Sequence, residues 1–152
     1  HPYVDDNGDK WLFWVDSTGP DRLCCVKMIN WLKPDWSTAQ VLTYTHFYTV
    51  EDWKASQEGA NVPLVSYETE SNHTNEGPFL IKHNGKYYLT FSVNDYWDSS
   101  YQLGQAIADN VLGPYRKLTE AEGGLLLSGY IKHPSSGVFI SEFRCSGQSH
   151  AG

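Results

Sequence analysis

Asn75-Glu76-Gly77-Pro78-Phe79-Leu80-Ile81-Lys82-His83-Asn84-Gly85-Lys86-Tyr87-Tyr88-Leu89-Thr90-Phe91 decides the fold, because two short apolar runs flank a dipeptide suited to one kind of turn. Phe79 to Lys82 reads as one strand and Lys86 to Val93 as a second. Between them Asn84-Gly85 supplies the two positive-φ positions of a tight type I′ hairpin. Gly77-Pro78 removes a side chain and then an N–H just ahead of the first strand, which sets Glu76 at the strand mouth without ladder partners. Spacing alone leaves two readings of that carboxylate: a candidate acid, or a solvated turn glutamate, the ordinary condition of this residue type.

Upstream, Pro2-Tyr3-Val4, a turn at Asp5-Asp6-Asn7-Gly8 and the run Lys10 to Val15 predict a second hairpin of the same kind. Beyond Gly19-Pro20, Arg22 to Ile29 forms a third β-like run, and a turn at Pro34-Asp35-Trp36 leads to a fourth at Gln40 to Tyr44. Downstream of the first hairpin, Tyr101 to Ala108 is the expected third strand, Gly113-Pro114 a turn and Tyr115 to Leu118 a short fourth. Pro2 answers to Pro78, Gly8 to Gly85, Leu12 to Leu89 and Pro34 to Pro114, an offset that drifts only from 76 to 80 positions. Two four-stranded meanders in such register are the pattern of successive propeller blades. The competing explanation is that turn chemistry is a small menu and any two hairpins share it.

The expected class is therefore all-β, a propeller of four-stranded antiparallel blades. The expected divisions are a blade over about 1–45, a connecting loop over about 46–75, a blade over about 76–118 and a partial blade over about 119–152. That last stretch has candidate strands at Gly123 to Leu127 and Gly137 to Ser141. Propellers close with about four to eight blades, so two and a half blades imply a larger fold whose missing blades are partners of this chain.

Composition narrows the function classes. Of the 152 residues 40% are hydrophobic and 14% aromatic, with six Trp and ten Tyr, a density that fills a β core or lines a surface for the apolar faces of sugar rings. A net charge of −7 with no basic run argues against nucleic acid and anionic membrane as partners. No apolar stretch is long enough to span a bilayer, and His1-Pro2-Tyr3 is neither a signal peptide nor an initiator Met, so a front end that has been trimmed or processed is expected. Compartment is left open. Cys24, Cys25 and Cys145 fit neither a disulfide framework nor a zinc spacing and are expected as buried thiols. Asn72-His73-Thr74 is a glycosylation sequon too loose to carry weight.

The motifs together resemble glycoside hydrolase family 43, five-bladed propeller enzymes that remove arabinose or xylose from plant polysaccharides. Glu76-Gly77-Pro78-Phe79 with Asn84 to Ser92 resembles the family's general-acid segment. Tyr101 to Ala106 with Leu112-Gly113-Pro114-Tyr115 is similar to the strand and turn that follow it, and His1 to Gly8 with Lys10 to Trp14 to the opening of an earlier blade. The resemblance implies an inverting glycosidase acting on α-L-arabinofuranosyl or β-D-xylosyl linkages, with Glu76 as general acid. It places the base Asp and a second Asp, which tunes the acid, upstream of this chain, so the chain alone is expected to be inactive. Asp5 and Asp6 match non-catalytic turn residues.

Ser92, Asn94, Tyr96 and Trp97, which lead out of the acid's hairpin, are the expected substrate contacts, since sugars stack on aromatic faces while amides and hydroxyls bind their OH groups. Ser146 to His150 resembles a last-blade segment whose His faces the axis, which makes His150 a candidate ligand for a structural calcium, although no cofactor is required for the chemistry. His73, His83 and His133 take only structural readings. A carbohydrate-binding propeller without chemistry is the alternative, and the Glu-Gly-Pro segment, which a pure binder does not need, argues against it. The same Gly77-Pro78 pair argues against a related propeller clan acting on fructosides.

Overall fold

The computed structural model describes residues 1–19, 21–45, 65–69, 73–96, 100–132 and 139–145. Among them there is no α-helix. The first antiparallel sheet has the order β1 (Pro2–Val4), β2 (Lys10–Asp16), β3 (Arg22–Asn30) and β4 (Lys33–Tyr44). The second is built on β5 (Asn75–His83), β6 (Lys86–Val93) and β7 (Gln102–Ala108), with β8 (Arg116–Lys117) on one part of the outer edge of β7 and β9 (Leu125–Lys132) on the other; β10 (Phe139–Cys145) closes the edge. No described helix is long and apolar enough to cross a membrane.

Strand periodicity explains where the core lies. Tyr87, Leu89, Phe91 and Val93 alternate along β6 and are all buried, while Tyr88, Thr90 and Ser92 between them are partly exposed. On β5 Leu80 joins that inner face while Phe79 and Ile81, 50% and 47% exposed, stand on the other. The inner face of the first sheet presents Trp11, Phe13, Leu23, Cys25 and Leu42, and the two faces form one cluster with Val65, Tyr67, Ala106 and Tyr115. A large-to-small change at a fully buried member such as Leu89 therefore costs about 2–5 kcal/mol. β3 buries both faces. Cys24, on the far one, has Trp14 opposite it in register, and Trp14 meets Trp36 edge to face with centroids 6.0 Å apart.

The turns divide into one that matches expectation and two that do not. His83 pairs with Lys86 around Asn84 (φ 48°) and Gly85 (φ 75°), the expected two-residue hairpin. The first hairpin is not its copy: Val4 pairs with Lys10, which leaves the loop Asp5 to Asp9. A side chain organises this wider loop. The Asp5 carboxylate accepts from the amides of Asn7 (2.9 Å) and Asp9 (3.0 Å) and from the Trp11 indole (3.1 Å). Burial opposes its ionisation, but these donors and Lys27 outweigh it and hold the carboxyl below the usual range. Asp5 and Asp6 thus serve the turn, Asp6 through an ion pair with Lys82 at 2.5 Å.

The other departure is the turn placed at Pro34-Asp35-Trp36. Asn30 pairs with Lys33, so the chain reverses at Trp31-Leu32 and Pro34 already lies in β4, opposite Met28. Asn30 accepts the Leu32 amide at 2.9 Å and so forms this turn with its side chain. The register shifts that follow relax past Asp35, whose carboxylate takes the Ser37 hydroxyl at 2.6 Å. Pro34 and Pro114 are consequently not equivalent landmarks, since Pro114 precedes β8 in a loop.

Beyond Leu118, where a partial blade was expected to begin, β9 adds to the second sheet: Gln102 pairs with Ser128 and Leu103 with Leu127. The reason is that β8 is only two residues long and covers β7 at Ala106 and Ile107 alone, so the rest of that edge is open to another strand. Most of the connecting loop, with Trp53 and the sequon at Asn72, lies outside the described residues, as does His133. Cys24 and Cys25 are buried free thiols, and burial pushes them up to about 11 and about 12 respectively.

Candidate active site

Glu76 is presented by a break in the β5 ladder. It pairs with Ser92, then the register skips to Phe79 opposite Thr90. Gly77 (φ 60°) makes the bulge, and Pro78, which has no N–H to lose, fills it. The strand is anchored on both sides of the break. Behind it, Asn75 is fully buried, donates to the Thr74 carbonyl at 2.7 Å and receives the Thr43 hydroxyl of β4 at 3.4 Å. Ahead of it, the Phe79 ring packs on His1 with centroids 4.3 Å apart. The Asp21 amide adds a link between the sheets by donating to the His73 carbonyl at 2.8 Å.

The Glu76 carboxylate is half-buried, and its Oε1 accepts a hydrogen bond from the Tyr101 hydroxyl at 3.0 Å. Among the described residues no donor reaches Oε2. Burial raises the Tyr101 phenol above its ordinary value; the neighbouring Ser92 side chain pulls against this and Glu76 adds to it. Tyr101 is therefore neutral, and a donor, across the physiological range. The cluster arises from strand order alone: β6 lies between β5 and β7, so Ser92 has Glu76 on one side and Leu103, two residues past Tyr101, on the other.

The remaining expected contacts separate by burial. Asn94, at φ 66° and 2% exposed, accepts the Thr69 amide at 2.9 Å and donates to the carbonyls of Tyr67 (2.8 Å) and Ser100 (2.7 Å). Its amide holds the loop that delivers Tyr101. Tyr96 is 65% exposed. Trp97 and His150 lie outside the described residues. Among the described residues no group of three or more His, Cys, Asp or Glu is arranged to hold a metal ion, and no step is assigned to calcium.

Two contributors were not visible in sequence. Tyr101 read only as the opening of a strand; the available signal was a tyrosine entering the strand that pairs beside the acid's hairpin. Lys117 gave none, because a two-residue strand has no periodicity, yet the residue is fully buried and paired with Glu68. Close packing backs the same region. A Cβ on Gly104 would stand 2.6 Å from the Tyr67 ring, whose hydroxyl donates to the Leu118 carbonyl at 3.0 Å.

A half-buried carboxylate with one oxygen held by Tyr101, and no described donor on the other, can exchange a proton with a bound oxygen. Comparison with known proteins is consistent with that chemistry. Over 40 residues the chain is 45% identical to the beta-D-galactofuranosidase xynD of Aspergillus niger, a stretch that is 26% of this chain and 12% of that protein. Among solved structures it resembles an endo-1,4-beta-xylanase from Bacteroides thetaiotaomicron (TM-score 0.58, 24% identity, 91% of this chain and 45% of that one). It also resembles an alpha-L-arabinofuranosidase from Lactobacillus brevis (TM-score 0.52, 20% identity, 75% of this chain and 31% of that one). At these identities the likeness concerns the fold, and the chain spans less than half the length of either structure. Residues 1–122, which hold both hairpins, Glu76, Ser92 and Tyr101, match glycosyl hydrolases family 43, and the chain belongs to that family.

Proposed function

We propose that this chain supplies the general acid, Glu76, of a glycosidase that hydrolyses α-L-arabinofuranosyl or β-D-xylosyl linkages of plant polysaccharide with inversion. The observation that carries the reading is the Glu76 carboxyl at the β5 bulge, with Oε1 engaged by Tyr101 and no donor to Oε2 among the described residues. In an inverting reaction one carboxyl protonates the leaving oxygen while a second, about 6.5–9.5 Å away, activates water on the opposite face of the sugar. The second carboxylate and the Asp that tunes the acid come from residues outside this chain, so the chain by itself is inactive. Ser92, Tyr96 and Trp97 supply the sugar contacts in this reading, while buried Asn94 holds the backbone of Tyr67, Thr69 and Ser100.

The test uses the full-length protein that carries this chain, assayed on aryl α-L-arabinofuranoside, β-D-xyloside and, given the galactofuranosidase relative, β-D-galactofuranoside. Glu76→Gln should lower kcat about 100-fold to 10,000-fold, and proton NMR of the first product should show the inverted anomer. An unchanged rate removes Glu76 from the chemistry; sugar binding with no turnover in the parent favours the carbohydrate-binding alternative.

A further inference from the structure

We propose that Tyr101 is a positioning residue that decides which oxygen of Glu76 carries the proton to the leaving group. The inference rests on Glu76 being the acid. A neutral carboxyl has one carbonyl oxygen, which only accepts, and one hydroxyl, which donates. Rotation about the terminal torsion of a Glu side chain is broad and nearly two-fold, so an unconstrained acid presents either oxygen. The Tyr101 phenol, neutral and pointed at Oε1 from 3.0 Å, breaks that symmetry. Oε1 becomes the carbonyl partner and the proton is left on Oε2, which no described residue reaches as a donor.

The Tyr101 backbone is itself held, through the adjacent Ser100 carbonyl, which accepts from Asn94 at 2.7 Å. In the step that follows, the Oε2 proton passes to the glycosidic oxygen and the bond from the anomeric carbon to that oxygen breaks with its electron pair going to the oxygen; water bonds to the anomeric carbon from the opposite face and gives its proton to the second carboxylate, and Glu76 is left as a carboxylate. Tyr101 keeps its proton and its hydrogen bond to Oε1 throughout, and that bond strengthens as charge develops on the carboxylate.

Leaving-group dependence distinguishes positioning from packing. In the full-length protein, Tyr101→Phe should lower kcat about 10-fold to 100-fold on phenyl glycosides, whose leaving group needs the proton, while changing 2,4-dinitrophenyl glycosides, which leave unaided, by less than about twofold. Ser92→Ala should show the same selectivity at smaller size, and it tests the proposal if Tyr101→Phe fails to fold. Equal losses on both substrates, or no loss on either, overturn the proposal. Glu76→Gln, run in parallel, separates the two readings: selective loss there without selective loss in Tyr101→Phe sinks only the positioning role, whereas an unaffected phenyl glycoside in Glu76→Gln sinks both.

Discussion

Lys117, the last residue of β8, reaches across to the first sheet and donates from Nζ to the carbonyl of Tyr44, the last residue of β4, at 2.6 Å. The same ammonium pairs with the Glu68 carboxylate and lies 5.3 Å from the centre of the Phe91 ring. Both charged side chains are almost wholly buried, at 2% and 1% exposure. Burial pulls the Lys117 pKa down and Glu68 opposes it. Three separate stretches, the ends of β4 and β8 and the 65–69 segment, thus meet on one cation beneath the residues that hold Asn94 and Tyr101.

A buried pair of this kind contributes little net stability when intact, because desolvation offsets attraction, but breaking it strands a charge. Lys117→Met should therefore destabilise by about 3–5 kcal/mol, read as a lower urea midpoint at unchanged slope. Lys117→Met with Glu68→Leu should recover much of that loss, since no buried carboxylate is then left without its counter-ion. A single variant with an unshifted midpoint would mean that the pair is not buried in solution.

How much of this was legible in the sequence depends on how local each feature is. Asn84-Gly85 fixed its turn because two positive-φ residues leave few alternatives, and the alternation Tyr87, Leu89, Phe91, Val93 identified the inner face of β6. The break in the strand at Glu76 was legible because Gly77-Pro78 is a backbone signal, whereas the acid role came only from the family resemblance. Asp5-Asp6-Asn7-Gly8 misled for a physical reason: the loop closes on the Asp5 side chain, so its length follows from the carboxylate's reach and not from the Asn-Gly pair. Tyr101, Lys117 and the docking of β9 on β7 depend on contacts between residues far apart in the chain, which no window of neighbours encodes.

The β5 bulge can be tested without touching the acid. A Cβ on Gly77 would meet only the Ser92 hydroxyl, at 3.9 Å, an ordinary contact, so the cost of Gly77→Ala is confined to its φ of +60°. That strain amounts to about 1–2 kcal/mol, and relieving it turns the backbone that aims Glu76. Gly85→Ala carries the same kind of strain, at φ +75° with nothing within 4 Å, at the far end of the hairpin. Both variants should lower Tm similarly, but only Gly77→Ala should also reduce kcat on phenyl glycosides, by about tenfold or more. Equal kcat in the two would show that the bulge does not aim the acid.

The connection from β8 to β9 carries a pH dependence of definite sign. It is a single 3-10 turn, Glu120–Glu122, closed by Gly123 at φ 82°. Glu122 Oε2 accepts from Arg116, from the Thr119 amide and from the Thr119 hydroxyl, each at 2.9 Å. The Arg116 hydrogen bond, followed by the two from Thr119, pushes this carboxyl down from 4.5 to about 2. A folded value below the unfolded one means that the native state binds its proton later than the unfolded chain does. The contribution is complete above about 4.5 and is lost as pH falls through about 2. It reaches the sheet because the next residue, Gly124, accepts the Gln105 amide of β7 at 2.9 Å, and a Cβ at Gly124 would stand 1.8 Å from the Leu118 carbonyl. Acidification should therefore speed hydrogen exchange at Gln105 relative to the amides of β6, once the intrinsic pH dependence of exchange is removed. Carbon-13 detection of the Glu122 carboxyl should give a midpoint near 2, and Glu122→Gln should abolish the acid-dependent part of the Gln105 response. A midpoint at the ordinary glutamate value would show that Arg116 and Thr119 do not hold the charge, and the turn would then have no acid-sensitive step.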